Sequence, residues 1–137
     1  MPKVSVLQFN NYSVEELAFK IAPIDNEQQE FQVHPCFNTS LIDMGDNNYN
    51  MRLSVEVPST EDFPMPFELR VAIVGHFTYV DENEDSPPDY KTEILKKNTL
   101  SILFPFLRQI VATLTSTANV PTLMLPIMNF NDFPSIE

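Results

Sequence analysis

Apolar residues fall at every second position along four stretches of this chain, and at helical spacing along one that follows them. The first stretch, Val4 to Ile21, reads as extended: Leu17, Phe19 and Ile21 alternate with Ala18 and Lys20, the period-two pattern of a half-buried strand. Asn10-Asn11 predicts a break or bulge between its two halves. After the polar connection Pro23 to Glu30, a second extended segment runs from Phe31 to Asp43, with Phe31, Val33, Pro35, Phe37, Thr39 and Leu41 on one face. Gly45-Asp46-Asn47-Asn48 is a turn signal. Beyond it Tyr49, Met51, Leu53, Val55 and Val57 alternate with Asn50, Arg52, Ser54 and Glu56, the clearest strand with one buried face. Pro58 through Pro66 interrupts the pairing. Phe67, Leu69, Val71, Ile73, Gly75, Phe77 and Tyr79 then share one face of a long fourth strand, with Glu68, Arg70, Ala72, Val74, His76 and Thr78 on the other. Towards Val74 both faces are apolar, which predicts cover on both sides at that end.

The helical part begins after an acidic, proline-containing loop, Asp81 to Asp89, which reads as a solvated connection or, failing that, a docking surface for a basic partner. Tyr90 to Lys97 reads as a short helix, and Asn98 or Thr99 can cap the long helix that follows. Pro105 lies inside that helix, where it removes a backbone donor and crowds the preceding turn, so a kink or a delayed start near Leu103 is expected. Asn119 with Val120-Pro121 ends the helix. Strands followed by helices, with no βαβ alternation, predict an α+β fold: an antiparallel sheet with helices on one face.

The long helix is apolar nearly all round. Leu100, Leu103, Phe104, Leu107, Val111 and Leu114 form the stripe that would cover the sheet, yet the opposite side carries Ile102, Phe106, Ile110 and Thr113. Arg108 is the one charge between Asn98 and Ala118. A helix of this kind is buried on more than one side, and one small domain offers a single sheet. A second copy packed across a two-fold axis is therefore expected, with Ala112, Thr113, Ser116 and Thr117 permitting close approach; a second layer made by the chain's own tail is the simpler alternative. The stretch is about as long as a membrane span. Arg108 near its middle would cost roughly 2.5–3.5 kcal/mol on insertion, and Pro105, Gln109 and the Thr113, Thr115, Ser116 and Thr117 run lower its hydrophobicity. It reads as a buried helix.

Composition narrows the class. At 137 residues the chain is expected to form a single domain, residues 1–137, with a real core, and 43% hydrophobic residues with 11 Phe argue for a folded globule. A net charge of −11 excludes nucleic acid as a natural partner, since phosphate binding needs concentrated Lys and Arg. The lone Cys36 rules out an internal disulfide and a thiolate cluster and is expected to be a small buried hydrophobe. The N-terminus, Met1-Pro2-Lys3-Val4-Ser5, lacks the apolar core of a signal peptide, so a cytoplasmic location is expected, and the acceptor patterns at Asn11 and Asn38 read as chance matches.

Candidate chemistry is sparse. His34 and His76 lie in predicted strands without metal-ligand spacing to Cys36 or to a carboxylate. There is no glycine-rich phosphate loop and no Gly-x-Ser-x-Gly elbow. The acidic clusters Glu15-Glu16, Glu61-Asp62 and Glu82 to Asp85 have nothing beside them to position a catalytic pair. No cofactor, no metal and no catalytic residue is expected. What remains is apolar surface: the tail from Val120 to Phe133 has too many prolines for a regular element and is expected to lie extended against the body. Its Met and Phe side chains suit contact with a varied polypeptide partner, bound through pockets or by strand addition.

Three pieces of sequence together carry a resemblance. Asn98-Thr99-Leu100-Ser101-Ile102-Leu103-Phe104-Pro105-Phe106-Leu107-Arg108 resembles the start of the long helix in SecB, the bacterial protein-export chaperone. Pro121 to Phe130, ending Leu125-Pro126-Ile127-Met128-Asn129-Phe130, is similar to that family's proline-rich segment and Asn-Phe signature, and Gly75-His76-Phe77-Thr78 resembles the end of its fourth strand. The resemblance spans roughly Val4 to Phe133. It implies an α+β, SecB-like four-stranded antiparallel sheet with a long helix and a short helix on one face, a homotetramer built as a dimer of dimers, and ATP-independent holding of unfolded or export-bound polypeptides in apolar grooves. On matching positions Phe77, Leu123, Leu125, Ile127, Phe130 and Phe133 are the candidate groove residues. Ile102, Phe106, Ile110 and Thr113 are the candidate oligomer interface, with Phe67, Leu69, Val71 and Ile73 as further subunit contacts or core.

The sequence also departs from the family. Members present acidic residues on the sheet to the export motor SecA; Glu16 fits that role, but Lys20 and Arg70 occupy what look like the other two acidic positions. The polar C-terminal extension that many members use for SecA is expected to be missing, as the sequence stops at Glu137. A client-specific assembly chaperone, such as an antitoxin chaperone, uses the same scaffold without the motor. A hot-dog-like thioesterase is the alternative from another class, but it needs a polar group aimed at a thioester, and the equivalent helix offers only Arg108.

Overall fold

A computed structural model of the chain describes residues 7–21, 33–62, 64–80, 90–120 and 122–125. Four strands come first: β1, Leu7–Ile21; β2, Cys36–Gly45; β3, Asn48–Val57; and β4, Phe67–Tyr79. They form an antiparallel sheet in the order β1-β4-β3-β2. The helical part is continuous: α1, Tyr90–Glu93, passes through a π-helical turn, Ile94–Asn98, into α2, Thr99–Thr117. The fold is α+β, as the sequence predicts.

The hairpin between β2 and β3 follows from its residues. Asp46 and Asn47 have φ of 54° and 63°, so both central residues are left-handed. That is the turn whose twist matches the flanking strands, and Asp and Asn tolerate it better than most residues. Gly45, at φ 86°, lies at the register shift next to the turn. In β1 the irregularity expected at Asn10-Asn11 is present between Phe9 and Asn11, and a second lies between Val14 and Glu16. These bulges keep Leu7, Phe9, Tyr12, Val14, Leu17, Phe19 and Ile21 all opposite the inward residues of β4.

The core lies between one sheet face and α2. Met51, Leu53, Val55 and Val57 of β3 and Phe67, Leu69, Val71, Ile73 and Phe77 of β4 meet Leu100, Leu103, Leu107 and Val111 of α2, and all are buried. Lys91 Nζ lies 5.2 Å from the ring centroids of both Tyr49 and Tyr79, a cation–π contact that fastens α1 to one end of the sheet. The hydrogen bond to Tyr49 is the main reason its ammonium pKa is raised above the ordinary value, with burial acting in the opposite direction. On the far face Val74 is only half-buried, so the expected second layer over that end of β4 is not present among the described residues.

Asn98 is helical, at φ −74° and ψ −34°, and makes no capping bond through its side chain, which corrects the expectation of a cap there. The helix does not start at Asn98; it arrives from α1 through the π turn, so no free N–H groups await a cap. Nor is the start delayed to Leu103, for Pro105 lies inside α2. The carbonyl left without its donor belongs to Ser101, four residues back, and both Ser101 and Pro105 are exposed, so water can serve it. The C-terminus ends as expected. Asn119 is left-handed at φ 60°, its N–H bonds to the Ser116 carbonyl, and the Val120 N–H bonds to the Thr115 carbonyl, the pair of bonds of a Schellman motif.

Candidate functional site

The helix has two flanks, and the sequence gives each a different neighbour. Phe104, Arg108 and Thr115 fall within one narrow sector of α2 by helical spacing. Phe104 packs on Phe37 of β2, with ring centroids 5.8 Å apart, so this flank faces β2. The segment after the helix returns along the same flank. The Leu123 N–H donates to Thr115 Oγ1 at 2.9 Å, and Arg108 Nε donates to the Leu125 carbonyl at 2.9 Å. Thr115 in turn donates to the Val111 carbonyl at 3.0 Å. The one cation of α2 therefore holds main chain, and a buried helical threonine holds the same segment two residues earlier. Leu125 is fully buried, Leu123 is half-buried and Met124 is 60% exposed. Extended residues alternate sides, and these do.

Along this margin the wall of β2 is Phe37, Thr39 and Leu41, which pair with Val55, Leu53 and Met51 of β3. Phe37 and Leu41 are half-buried. Thr39 is buried, and its hydroxyl has no hydrogen-bond partner among the described residues. Cys36 alternates to the opposite face and is exposed. This corrects the expectation of a buried thiol: a strand beginning at Cys36 places it outside the Phe37 face.

The opposite flank carries Ile102, Phe106 and Ile110, all half-buried, and Thr113, exposed. Phe106 packs against Tyr12 and Phe9 of β1 in tilted ring contacts, at 4.6 and 5.8 Å between centroids, so part of this side is covered within the chain. Cover stops further along β1, where Val14, Leu17 and Ile21 face the helix side yet are 47%, 55% and 54% exposed.

Several candidate residues sit elsewhere than expected. Phe77 is 1% exposed, roofed by Phe9 at 5.3 Å, and Leu125 lies under its own clasp. Both are core side chains, which corrects their reading as groove lining. Phe67, Leu69, Val71 and Ile73 are at most 2% exposed; they point at α2, so they are core and not subunit contacts. Ile127, Phe130 and Phe133 lie outside the described residues. Thr39, Thr115 and the role of Arg108 were not singled out from sequence. A lone cation in an apolar helix needs an acceptor, but nothing in the sequence identifies a carbonyl as that acceptor.

The open face of the sheet is polar and internally compensated. Glu15 Oε1 accepts from Arg52 Nε at 2.8 Å, and Glu16 Oε1 lies 3.9 Å from Arg70 Nε. Lys20 opposes Glu68, and Arg70 opposes Glu56, around a shallow pocket of about 360 Å³. Asn10, Thr78 and Asn48 form a chain of side-chain hydrogen bonds, and His76 Nδ1 meets Asn50 Oδ1 at 2.7 Å. These are cross-strand pairs of the kind that stabilise a sheet. Among the described residues no three His, Cys, Asp or Glu side chains gather as metal ligands. Lys91–Thr117 is long and apolar enough by length and composition to cross a membrane, but its apolar stripe is the one buried on the sheet.

A family model described as preprotein translocase subunit SecB matches residues 4–134. An uncharacterised protein of Methanocaldococcus jannaschii is 26% identical over 131 residues, covering 93% of this chain and 82% of that protein. Protein-export protein SecB of Paramagnetospirillum magneticum is 29% identical over 131 residues, covering 90% of this chain and 80% of its own length. Among solved structures, a SecB-like chaperone of Mycobacterium tuberculosis, in complex with a ChAD peptide from the HigA1 antitoxin, is similar with a TM-score of 0.71, covering 89% of this chain and 90% of that one at 15% identity. The sheet order, the long helix and a match over nearly the whole sequence agree: this chain belongs to the SecB family.

Proposed function

We propose that the chain is an ATP-independent holding chaperone of the SecB type, acting as one cytoplasmic domain on unfolded or export-bound polypeptides. The observation that carries this reading is the apolar margin on the β2 side of α2. Phe37, Leu41 and Leu123 are half-buried there and Met124 is 60% exposed, in a chain that otherwise carries a net charge of −11. Exposed apolar surface bordered by polar residues marks an interaction site. Ile127, Phe130 and Phe133 continue the same segment in sequence and complete the proposed contact. The expected result is suppression of aggregation of an unfolded client at stoichiometric amounts without ATP, weakened several-fold by Phe130→Ser with Phe133→Ser. No suppression by the unaltered protein at several-fold excess would overturn the reading.

A homo-oligomer belongs to the same proposal. Ile102, Phe106, Ile110 and Thr113 supply the interface, and the exposed row Val14, Leu17 and Ile21 extends it onto β1. Sedimentation at micromolar concentration is expected to give a tetramer; a stable monomer would refute it.

A client-dedicated chaperone, as for an antitoxin, is the second reading. Arg70 lies 3.9 Å from Glu16 and offsets the acidic charge that a SecA contact would use, and the M. tuberculosis relative is seen with an antitoxin peptide. Both readings share the scaffold and the margin described above. The thioesterase alternative loses its one polar helix group, because Arg108 is bonded to main chain.

A further inference from the structure

The helical part of the chain changes register where its inner face would otherwise become charged. The stripe of α2 that meets the sheet is Leu100, Leu103, Leu107 and Val111. Carried back at three- or four-residue spacing, it would bring Lys96 or Lys97 and then Glu93 onto the core. Those residues are exposed, and the buried pair is Ile94 and Leu95. The π-helical turn Ile94–Asn98 makes the difference. It sets Ile94 and Leu95 on one face with Thr99 and Leu100, five residues on, and Lys91 lies one α-turn before Leu95. Thr99 donates its hydroxyl to the Leu95 carbonyl and Ser101 to the Lys97 carbonyl, bonds of a kind that bend helices. What lies ahead of the turn is lightly held. α1 has four residues, too few for an isolated helix, and it is fixed to the sheet by the Lys91 ammonium, 5.2 Å from the centroids of the Tyr49 and Tyr79 rings.

We propose that Tyr90–Asn98 is a releasable strap, with the π turn as its joint and Lys91 on Tyr49 and Tyr79 as its latch. A π turn holds one residue more than an α turn needs, and such turns recur at functional sites. Rewound into α-helix, it turns everything before it by about 100°. That movement carries Lys91, Ile94 and Leu95 off the sheet while α2 keeps its own contacts. Tyr49 and Tyr79, 7% and 3% exposed with the strap closed, are uncovered. The strap therefore controls aromatic and apolar surface at the end of the sheet beside the β2–β3 hairpin, where the Tyr79 N–H bonds to the Asn47 carbonyl. Asp43, paired with Tyr49, favours the closed latch through its charge. A unit held by one cation and two buried apolar residues belongs to the low-stability end of native-state opening. Polypeptide holding does not depend on the strap.

Amide exchange on the full-length protein, at one fixed concentration, tests both parts. In the unaltered protein the amides of Ile94–Asn98 are expected to exchange as one group, about tenfold or more faster than those of Leu103–Val111, with a step at Thr99. A gradual rise towards Tyr90 would be ordinary fraying of a helix end and would overturn the strap. Lys91→Met keeps most of the side chain's length and removes the charge. It should speed the Ile94–Asn98 group about fivefold or more, as loss of a cation–π contact predicts, and change Leu103–Val111 by less than about twofold. Lys91→Arg should leave both groups within about twofold, since a guanidinium makes the same contact. Equal acceleration of both groups by Lys91→Met would show that no separate joint exists. Removing Lys96 takes out the spare residue and puts Ile94 and Leu95 in α-helical register with Thr99 and Leu100. The strap group should then slow to within about threefold of Leu103–Val111, and Lys91→Met should lose its selective effect. A folded deletion variant whose strap still opens first would refute the joint. The Lys91 pair decides alone where the deletion variant does not fold.

Discussion

Gly75→Ala is expected to lower the stability of the folded chain by about 1–3 kcal/mol. The reason is the distance between helix and sheet. A Cβ at Gly75 would stand 2.6 Å from Leu103 Cδ2, 3.0 Å from Leu103 Cδ1 and 2.6 Å from Phe77 Cε2. Neither neighbour can retreat, because Leu103 and Phe77 are buried and the Phe77 ring is held under Phe9. Leu103→Ala alone removes core volume and should cost about 2–5 kcal/mol. Combined, the two changes should partly compensate, because the added methyl enters the space the leucine leaves. A coupling of about 1 kcal/mol or more is expected from residues in contact. Urea unfolding at fixed protein concentration measures all three variants, since an oligomer's apparent stability shifts with concentration. A strictly additive double variant would show that the close approach does not set the helix position.

This position also marks how far the sequence could be read. Period-two alternation placed Gly75 on the inward face of the fourth strand, between Ile73 and Phe77, and the strand occurs there. Alternation locates a face but does not give the distance to what packs on it. The same limit explains Phe67, Leu69, Val71, Ile73 and Phe77. Their burial was legible, but a buried apolar residue reads alike whether it meets its own helix or another subunit. The helix start was misread for a different reason. Asn before an apolar run is a capping signal only if the helix begins there, and a π turn carries the backbone through Asn98 without a break. Local preference cannot register that continuity.

The margin beside β2 was less legible still, because its parts are distant in sequence. Phe37, Phe104, Arg108, Thr115 and Leu123 meet only after the chain turns back beyond Asn119. Each has an ordinary local explanation: strand, helix stripe, lone charge, small residue, tail. The proline-rich tail was rightly expected to lie against the body over the residues described, Thr122 to Leu125, yet the groups that hold it were not foreseen. A threonine inside a helix normally bonds to the carbonyl four residues back, as Thr115 does to Val111. Nothing in that habit reveals that its second lone pair serves Leu123.

Thr115→Val and Arg108→Met are expected to release this segment, each at a cost of about 1–3 kcal/mol. Valine keeps the shape of threonine but leaves the Leu123 N–H, now accepted at 2.9 Å, without a partner in a partly buried place. Methionine keeps much of the arginine stem and removes the donor that reaches the Leu125 carbonyl at 2.9 Å. Because Leu125 is fully buried, releasing its main chain also withdraws an apolar side chain from the core. The effect should be local first. The Leu123 amide should exchange about tenfold faster or more in either variant, as a loss of about 1.4 kcal/mol implies, before amides of β3 and β4 respond. Client binding should weaken in the same variants, since Leu123 and Met124 would no longer be presented beside β2. Equal acceleration across the sheet would mean that the two residues support the whole core and not the tail. An unchanged Leu123 amide would remove the clasp altogether, and with it the reason that the long helix keeps a single charge.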